Sequence, residues 1–504
     1  MQCFFKALTG IGEDEMSDAV PPAEVWAAWR DAMEPDRPPL LIHYARFERP
    51  FLEALRQEVA PTEDADLEIL CTHEIARRLL PQLPRRGLRA LAGYYGHGVD
   101  ELKRSTEHVR ATAFVWHHLV TDLREHGIET LEQLEAWLAK PAPRKSAKRA
   151  YPMDRAKRLA LPECPGVYRM RRSNGELLYV GKATSLRQRV NSYFTKHRKV
   201  PERTLEMLTQ ARDFDVTPTA TVVEAALLES DEIKTHAPPY NVMLRDDGRP
   251  VWFGDAALGS WSETPSRRRH MGPVRSRGLM QAWASLAAPS DSVPTALQQR
   301  LWAGDTIEND VWCEARALLA SRWFDDREHF GRKALAHVGA QLWQQWREAE
   351  AEPPLEDDSD QAPEPTDPEE EETPWDPPRI ADALETIIGT GAHALRRAAW
   401  LIRLTDCTVR LTQSPESLRV LHFREGQLHA RQDTSDPLPL PPPPRWETPA
   451  SVRRCAFDLA TFDRLAILTT ELRRLMNADP HVQLCLGPRE TLGPSRLRRT
   501  LAWV

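Results

Sequence analysis

The stretch from Cys164 to Asp247 constrains the fold of this 504-residue chain more than any other part. Two short apolar and aromatic runs, Gly166–Met170 and Leu177–Gly181, flank the sequence Ser-Asn-Gly-Glu at residues 173–176. An Asn-Gly pair between two such runs is a strong short-range signal of a β-hairpin, because both residues tolerate a positive φ. The stretch therefore predicts two strands joined by a tight turn.

Three helices and one more strand are predicted after the hairpin. Their order is helix, helix, strand, helix, and two consecutive prolines, Pro238 and Pro239, end the last helix. The predicted elements are helices over Thr184–Phe194, Pro201–Arg212 and Thr221–Thr235 and a strand over Phe214–Ala220.

Helical geometry limits which polar side chains can share a site. Arg189 and Tyr193 are four residues apart, so both lie on one face of their helix. Glu224 and Glu229 are five apart, roughly 140° around the axis, so only one of them can face the hairpin. Lys182 follows the second strand. Tyrosines, a lysine, an arginine and one carboxylate form the inventory that phosphodiester cleavage requires.

The motifs Gly-Val-Tyr at 166–168 and Tyr-Val-Gly at 179–181, in this order of elements, resemble the GIY-YIG nucleases. Two segments are similar to the nuclease domain at the N-terminus of UvrC and to Cho, a shorter relative of UvrC. They read YVGKATSLRQRVNSYF and EAALLESDEIKTHAPPYNV. The resemblance implies one divalent ion, Mg²⁺ or Mn²⁺, on Glu229, with Asn241 as support for the site. The catalytic residues that it implies are Tyr168, Tyr179, Lys182, Arg189, Tyr193 and Glu229.

Residues 1–138 resemble the later two-thirds of a DnaQ-type 3′–5′ exonuclease, a family that uses two metal ions, four carboxylates and a histidine base. In that family the first acidic pair lies on the opening strand, which here would fall upstream of Met1. A mis-assigned start codon would explain why this strand is missing. The second motif has Tyr44 and Glu48 where the family has asparagine and aspartate, and the third has Ala113 in place of aspartate. One acid and one histidine cannot hold two cations. We therefore expect a scaffold without exonuclease activity, whose degenerate site is His43, Glu48 and His108.

Charge is distributed unevenly along the chain. The net charge is −7, yet residues 141–213 contain eighteen Lys and Arg against six Asp and Glu. Such a basic stretch suits binding to a phosphate backbone. Fourteen acids and no Lys or Arg lie between Glu348 and Asp376. That composition predicts a disordered segment, either a passive tether or a guard of the basic region.

The sequence also indicates the compartment. The chain has no apolar run of about eighteen residues and no export signal at its start, so we expect a cytoplasmic protein without membrane contact. Its seven cysteines are dispersed, without metal-ligand spacing. They are therefore expected to be reduced thiols.

The expected fold class is a multidomain α+β protein, with an α/β RNase-H-like remnant, a small α+β GIY-YIG domain, a helical region, an acidic linker and a C-terminal α+β region. Gly389-Thr390-Gly391, expected to open a helix, is weakly similar to a helix-hairpin-helix DNA clamp. The expected segments are 1–138 (exonuclease-like), 139–152 (basic linker), 153–250 (nuclease), 251–348 (mostly helical extension), 349–378 (acidic linker) and 379–504 (C-terminal domain).

The resemblance implies a metal-dependent endonuclease that nicks damaged double-stranded DNA in nucleotide excision repair, with UvrA and UvrB as candidate partners. Two other hypotheses stay open. One is a non-catalytic DNA-binding scaffold that has inherited nuclease folds. The other is a GIY-YIG nuclease with a restriction or mobile-element role.

Overall fold

The computed structural model divides into two compact units, residues 1–219 with 235–243, and residues 220–234 with 244–504. None of the described helices is long and apolar enough to cross a membrane. Residues 349–374 of the acidic segment and residues 143–148 of the basic linker lie outside the described residues. The structure describes residues 19–33, 38–61, 67–99, 105–142, 149–195, 200–242, 244, 248, 250–287, 292–302, 307–325, 327, 330–348, 375–414, 416–435, 457–487 and 490–502.

The N-terminal module, residues 19–142, pairs two short parallel strands and surrounds them with helices. Its core lies where the helix Ser105–Glu125 packs against the helices Thr72–Leu79 and Leu88–Tyr94. Ile75, Leu91 and Val115 are buried there. Its elements are α1 (Pro22–Met33), β1 (Leu40–Ile42), α2 (Ala45–Val59), β2 (Ile69–Cys71), α3 (Thr72–Leu79), α4 (Leu88–Tyr94), α5 (Ser105–Glu125) and α6 (Leu131–Ala139).

The central module, residues 149–219, has the predicted order of hairpin, two helices and strand. Its antiparallel sheet has the order β4-β3-β5, so β3 is the central strand. The turn lies at Asn174-Gly175, where Gly175 has a φ of 85°. Its elements are α7 (Arg155–Leu159), β3 (Gly166–Arg171), β4 (Leu177–Ala183), α8 (Leu186–Ser192), α9 (Glu202–Gln210) and β5 (Asp213–Pro218).

The N-terminal and central modules pack together within the first unit, chiefly through α4 and α9. The Thr209 hydroxyl accepts a hydrogen bond from the backbone N–H of Arg85 at 3.1 Å. The Arg212 guanidinium lies 4.1 Å from the ring centroid of Tyr94. Gly93 has no room for a side chain, because a Cβ there would collide with Gln210. The two modules therefore form one body, although the sequence separates them by a linker.

The second unit contains the last predicted helix of the central stretch, the helical extension and the C-terminal region. The extension carries an antiparallel sheet of order β7-β6-β8, and the C-terminal region a five-stranded sheet of order β11-β10-β9-β12-β13. Its elements are α10 (Val222–His236, of which residues 235–236 belong to the first unit), β6 (Trp252–Asp255), β7 (Trp261–Ser262), β8 (Arg269–Val274), α11 (Arg277–Ser285), α12 (Thr295–Leu301), α13 (Asn309–Trp323), α14 (Arg332–Glu348), α15 (Pro377–Leu404), β9 (Thr408–Ser414), β10 (Ser417–Arg424), β11 (Gln427–Thr434), α16 (Leu459–Ala478), β12 (Gln483–Gly487), β13 (Glu490–Leu492) and α17 (Pro494–Leu501).

The long helix α15 joins the extension to the C-terminal region through a shared core. Its first half packs against α13 and α14, and Leu384 and Ile388 are fully buried there. The sequence assigned these regions to separate segments, but their apolar faces are buried together.

The helix-hairpin-helix interpretation of Gly389-Thr390-Gly391 is wrong. These residues lie inside α15, not at its start, and all three are buried. A Cβ added at Gly389 would lie 2.5 Å from Cζ3 of Trp346, and one at Gly391 would lie 2.7 Å from Cγ of Trp283. The glycines therefore make room for tryptophan rings.

Helix α10 is anchored within the second unit by apolar contacts and ion pairs. Val223 and Leu227 pack into the core of the C-terminal region. The Glu224 carboxylate, whose side chain is only 6% exposed, pairs with Arg419 at 2.7 Å and with Arg431 at 3.1 Å. Farther along the helix, ion pairs join Asp231 to Arg464 and Lys234 to Asp463.

We predict that Arg419→Ala lowers the free energy of unfolding of the second unit by on the order of 2–3 kcal/mol, because it leaves a buried carboxylate poorly compensated. Arg403→Ala is the matched control, since Arg403 and Glu490 are 42% and 47% exposed. An exposed pair contributes less than about 1 kcal/mol. Urea unfolding measures both variants, and equal losses would contradict a structural role for the buried pair.

Candidate active site

The candidate site is built on the cross-strand pair of Tyr168 and Gly181. Tyr168 lies on the central strand β3, directly opposite Gly181 on β4, and its side chain is fully buried. A Cβ at Gly181 would lie 2.5 Å from Cζ of Tyr168 and 2.8 Å from Cε1 of Tyr179. The last glycine of the Tyr-Val-Gly motif therefore allows the Tyr168 ring to lie across the hairpin.

A hydrogen bond connects the sheet to helix α8 and the residue that follows it. The hydroxyl oxygens of Tyr168 and Tyr193 are 2.8 Å apart. The Arg189 guanidinium carbon lies 5.2 Å from the centroid of the Tyr193 ring, as their four-residue spacing predicts. The Tyr179 ring lies 6.0 Å from that of Tyr168. The structure thus brings together four of the predicted residues.

The pKa of Tyr168 is raised well above its ordinary value, first by burial and then by the neighbouring Tyr193 and Tyr179. A buried phenol resists ionisation because the charged form loses its hydration. Tyr168 therefore keeps its proton at neutral pH, and its hydroxyl can orient Tyr193 but cannot act as a base.

A pocket of about 260 Å³ opens beside these residues. It is lined by Tyr179, Arg189 and Tyr193 together with Arg203 and Tyr240. Tyr179 and Tyr193 are half-buried, whereas Arg189 is exposed. Aromatic hydroxyls and guanidinium groups at one opening can bind a phosphate group and a water molecule.

Asn241 holds the free edge of β4. Its side-chain Nδ2 donates to the carbonyl oxygen of Val180 at 2.9 Å, and its Oδ1 accepts from the N–H of Val180 at 3.0 Å. Val180 lies between Tyr179 and Gly181, so this two-point contact fixes the strand that carries the motif. Lys182 is half-buried two residues farther on.

The two glutamates of α10 differ in their surroundings, as their spacing predicts. Glu224 is buried against Arg419 and Arg431 within the second unit. Glu229 is half-buried on the same helix. A carboxylate already held by two guanidinium groups is poorly suited to bind a cation. Glu224 is therefore a poor candidate for a metal ligand, and Glu229 stays the ligand that the family resemblance implies.

The second candidate site, in the N-terminal module, gathers aromatic and basic side chains. His43 Nδ1 lies 2.9 Å from the Thr72 hydroxyl. The rings of Tyr44 and His73 are stacked with centroids 4.1 Å apart. Glu48 is exposed in the first turn of α2. Across the described residues, no three His, Cys, Asp or Glu side chains form a group that could hold a metal ion.

Electrostatics near His43 disfavours positive charge. Burial, followed by the nearby His73, lowers the pKa of His43 to about 3, and His108 contributes in the same direction. The pKa of His73 is also lowered, first by burial; Glu74 acts in the opposite direction, and Arg86, Arg77 and Arg46 act against protonation. The sequence predicted His43 and His108 but not the arginines, because these come from separate segments and match no motif.

The comparisons with known proteins agree with the central motif. Residues 164–242 match the family model described as a UvrC-like GIY-YIG domain. A Mycobacterium tuberculosis protein whose name pairs an exonuclease with an endonuclease is 34% identical over 257 residues, which cover 49% of this chain and 38% of that protein. The UvrABC system protein C of Sphingopyxis alaskensis is 43% identical over 118 residues, which cover 23% of this chain and 18% of that protein.

A crystal structure of the GIY-YIG N-terminal endonuclease domain of UvrC from Thermotoga maritima, bound to magnesium, is 34% identical. It covers 18% of this chain and 94% of that domain, with a TM-score of 0.16. This chain spans less than two fifths of the length of the two curated relatives. Residues 164–242 of this chain are a UvrC-like GIY-YIG domain.

Proposed function

We propose that this chain is a divalent-metal-dependent DNA endonuclease that nicks one strand of damaged DNA in nucleotide excision repair. The observation that carries the proposal is the hydrogen-bonded pair Tyr168–Tyr193, with Arg189 against Tyr193, at a pocket inside a UvrC-like GIY-YIG domain. The substrate would be damaged double-stranded DNA, and UvrA and UvrB are the candidate partners.

The proposed catalytic residues have roles that fit their chemistry. Arg189 would neutralise the scissile phosphate through charge-assisted hydrogen bonds. Tyr193, oriented by the protonated Tyr168, would align the attacking water. Tyr179 is the candidate that orients or deprotonates this water, and the proton of the Tyr179 hydroxyl would be taken up by Lys182 or by the water network of the site.

Glu229 would hold a single Mg²⁺ or Mn²⁺ ion. A lone carboxylate fits Mg²⁺, which retains several of its waters and needs only one or two protein carboxylates besides the substrate phosphate. When bound, the ion supplies charge stabilisation for the phosphate and for the leaving oxygen.

We predict that Glu229→Gln abolishes nicking and changes DNA affinity by less than about threefold, because it removes the metal ligand and retains the shape. Conversion of supercoiled to nicked circles measures the activity, and anisotropy of a labelled duplex measures affinity. Glu163→Gln is the control, since Glu163 is an exposed carboxylate of the same domain paired with Arg187. Nicking at the wild-type rate by Glu229→Gln in Mg²⁺ would refute the metal assignment.

We predict that Tyr193→Phe slows nicking by about a hundredfold, because a misaligned reacting group costs rates of that order. Tyr95→Phe is the matched control, because it also removes a partly buried phenolic hydrogen bond, the one to Asp122 at 2.5 Å. Each variant should lose on the order of 1 kcal/mol of stability, and only Tyr193→Phe should lose activity. Equal nicking rates would remove Tyr193 from the mechanism.

We infer further that the N-terminal module is an exonuclease-like scaffold without catalysis. Its second motif has one acid, Glu48, and its third motif has Ala113 in place of the acid. We predict no 3′–5′ shortening of labelled single-stranded DNA in Mg²⁺ or Mn²⁺. Metal-dependent shortening that survives Glu229→Gln but is lost in His108→Ala would show an active exonuclease.

Two experiments separate the other hypotheses. Absence of nicking in the wild-type protein under every divalent ion would favour a non-catalytic DNA-binding scaffold. Nicking of undamaged DNA at the same rate, without any effect of UvrA, UvrB or a lesion, would favour a restriction or mobile-element role.

A further inference from the structure

The first unit contains a large cleft that is not part of the proposed active site. Its volume is about 1930 Å³, and both the N-terminal and the central module line it. The N-terminal module contributes the guanidinium groups of Arg46, Arg77 and Arg86, and the central module contributes those of Arg149, Arg155 and Arg158.

The lining has a surplus of positive charge. It contains seven arginines, these six and Arg85, and three carboxylates. Each carboxylate already has a partner: Glu74 pairs with Arg77 at 2.6 Å, Glu202 with Arg85 at 2.9 Å, and Glu206 accepts a hydrogen bond from Tyr240 at 2.5 Å. The remaining guanidinium groups are not neutralised by the lining itself.

Several of these cations lack a counter-charge. Within the described ranges, Arg46, Arg149 and Arg155 form no ion pair with a carboxylate, and all three are exposed. Arg158 is only 8% exposed; its guanidinium stacks on the Phe194 ring and donates to Asn191 Oδ1 at 3.1 Å, and its Nε has no hydrogen-bond partner. The pKa of Arg86 is lowered by burial and by the neighbouring Arg77. Crowded and partly desolvated guanidinium groups favour an anion as their ligand.

Size and aromatic content indicate the class of anion. Small-ligand sites occupy about 300–1,000 Å³, so this cleft suits a polymer. Tyr44, which is 39% exposed and stacked on His73, offers an aromatic face. Basic grooves with accessible aromatic rings bind unpaired nucleic acid, because bases stack on the rings while phosphates contact the cations.

The cleft borders the proposed catalytic pocket. Val200 lines both, and the adjacent residues Tyr193 and Phe194 line the pocket and the cleft respectively. A strand lying in the cleft would therefore lead to Tyr179 and Arg189.

We propose that this cleft binds an unpaired segment of DNA and leads it into the Tyr179–Tyr193 pocket, with the arginines of both modules holding its phosphates. The inference rests on the proposed nuclease function for the direction of the strand, but the binding itself requires no catalysis.

The test is the affinity for a fluorescent oligothymidine in EDTA, measured by anisotropy over a range of salt concentrations. The cleft variant is Arg46→Ser/Arg149→Ser/Arg155→Ser, whose three positions are exposed, so the fold should be retained. We expect binding at least about tenfold weaker at low salt. The slope of log affinity against log salt should fall by about 2, since each lost phosphate contact removes about 0.7.

The matched control is Arg110→Ser/Arg124→Ser/Lys140→Ser, which removes the same charge from exposed positions outside the cleft. We expect its affinity to change by less than about threefold, and thermal melting should show both variants folded. Equal weakening by the two triple variants would overturn the proposal, because net charge alone would then explain binding. A loss on duplex DNA with unchanged oligothymidine binding would also overturn it.

The outcomes separate this inference from the proposed function. Cleft-dependent oligothymidine binding by a wild-type protein that never nicks DNA would support the cleft and refute the endonuclease. Lesion-dependent nicking with normal oligothymidine binding in the cleft variant would support the endonuclease and refute the cleft.

Discussion

The fit of the Tyr168 ring against Gly181 is the contact on which the candidate site depends. Tyr168 occupies the central strand, so its ring can lie across β4 only where the opposite residue has no side chain. Its buried hydroxyl then reaches Tyr193 beyond helix α8 at 2.8 Å. Asn241 fixes the outer edge of β4 by pairing with the backbone of Val180. Polar contacts therefore hold the sheet to the residue after α8 and to the segment around Asn241, and both of these border the same pocket.

The C-terminal region acquires a physical role from its contacts with α10. The sequence shows no chemistry there, yet Arg419 and Arg431 hold the buried Glu224 carboxylate. Val223 and Leu227 of α10 complete the apolar core of the C-terminal region. Because breaking a buried ion pair costs more than making it gains, these contacts fix the rotation of the helix that carries Glu229. The C-terminal region thus controls a side chain of the proposed metal site without supplying any ligand.

Local patterns predicted most of the central module, whereas contacts between distant segments could not be predicted. The strand and helix assignments around Asn174-Gly175 are confirmed within a few residues, because alternation and turn chemistry are local properties. Arg419, the partner of Glu224, lies 195 residues farther along the chain. The helical periodicity around Glu224 therefore could not predict that this carboxylate is buried. The prediction from Gly389 and Gly391 is wrong for the same reason, since tryptophan rings from other helices require these glycines.

The cleft gives the N-terminal module, which we propose to be an exonuclease-like scaffold, a role that needs no catalysis. A two-metal site neutralises phosphates with ions that its carboxylates must hold. Arginine carries its charge permanently, since its pKa is above about 12, and its planar fork matches the oxygens of phosphate. Arg46, Arg77 and Arg86 lie beside His73 and Tyr44, in a part of the chain where the described residues form no group of metal ligands, and these arginines are the groups that we propose bind the strand. The proposed strand binding by arginines and the proposed phosphodiester chemistry at Glu229 would then be independent of each other, so metal removal should stop the second and leave the first.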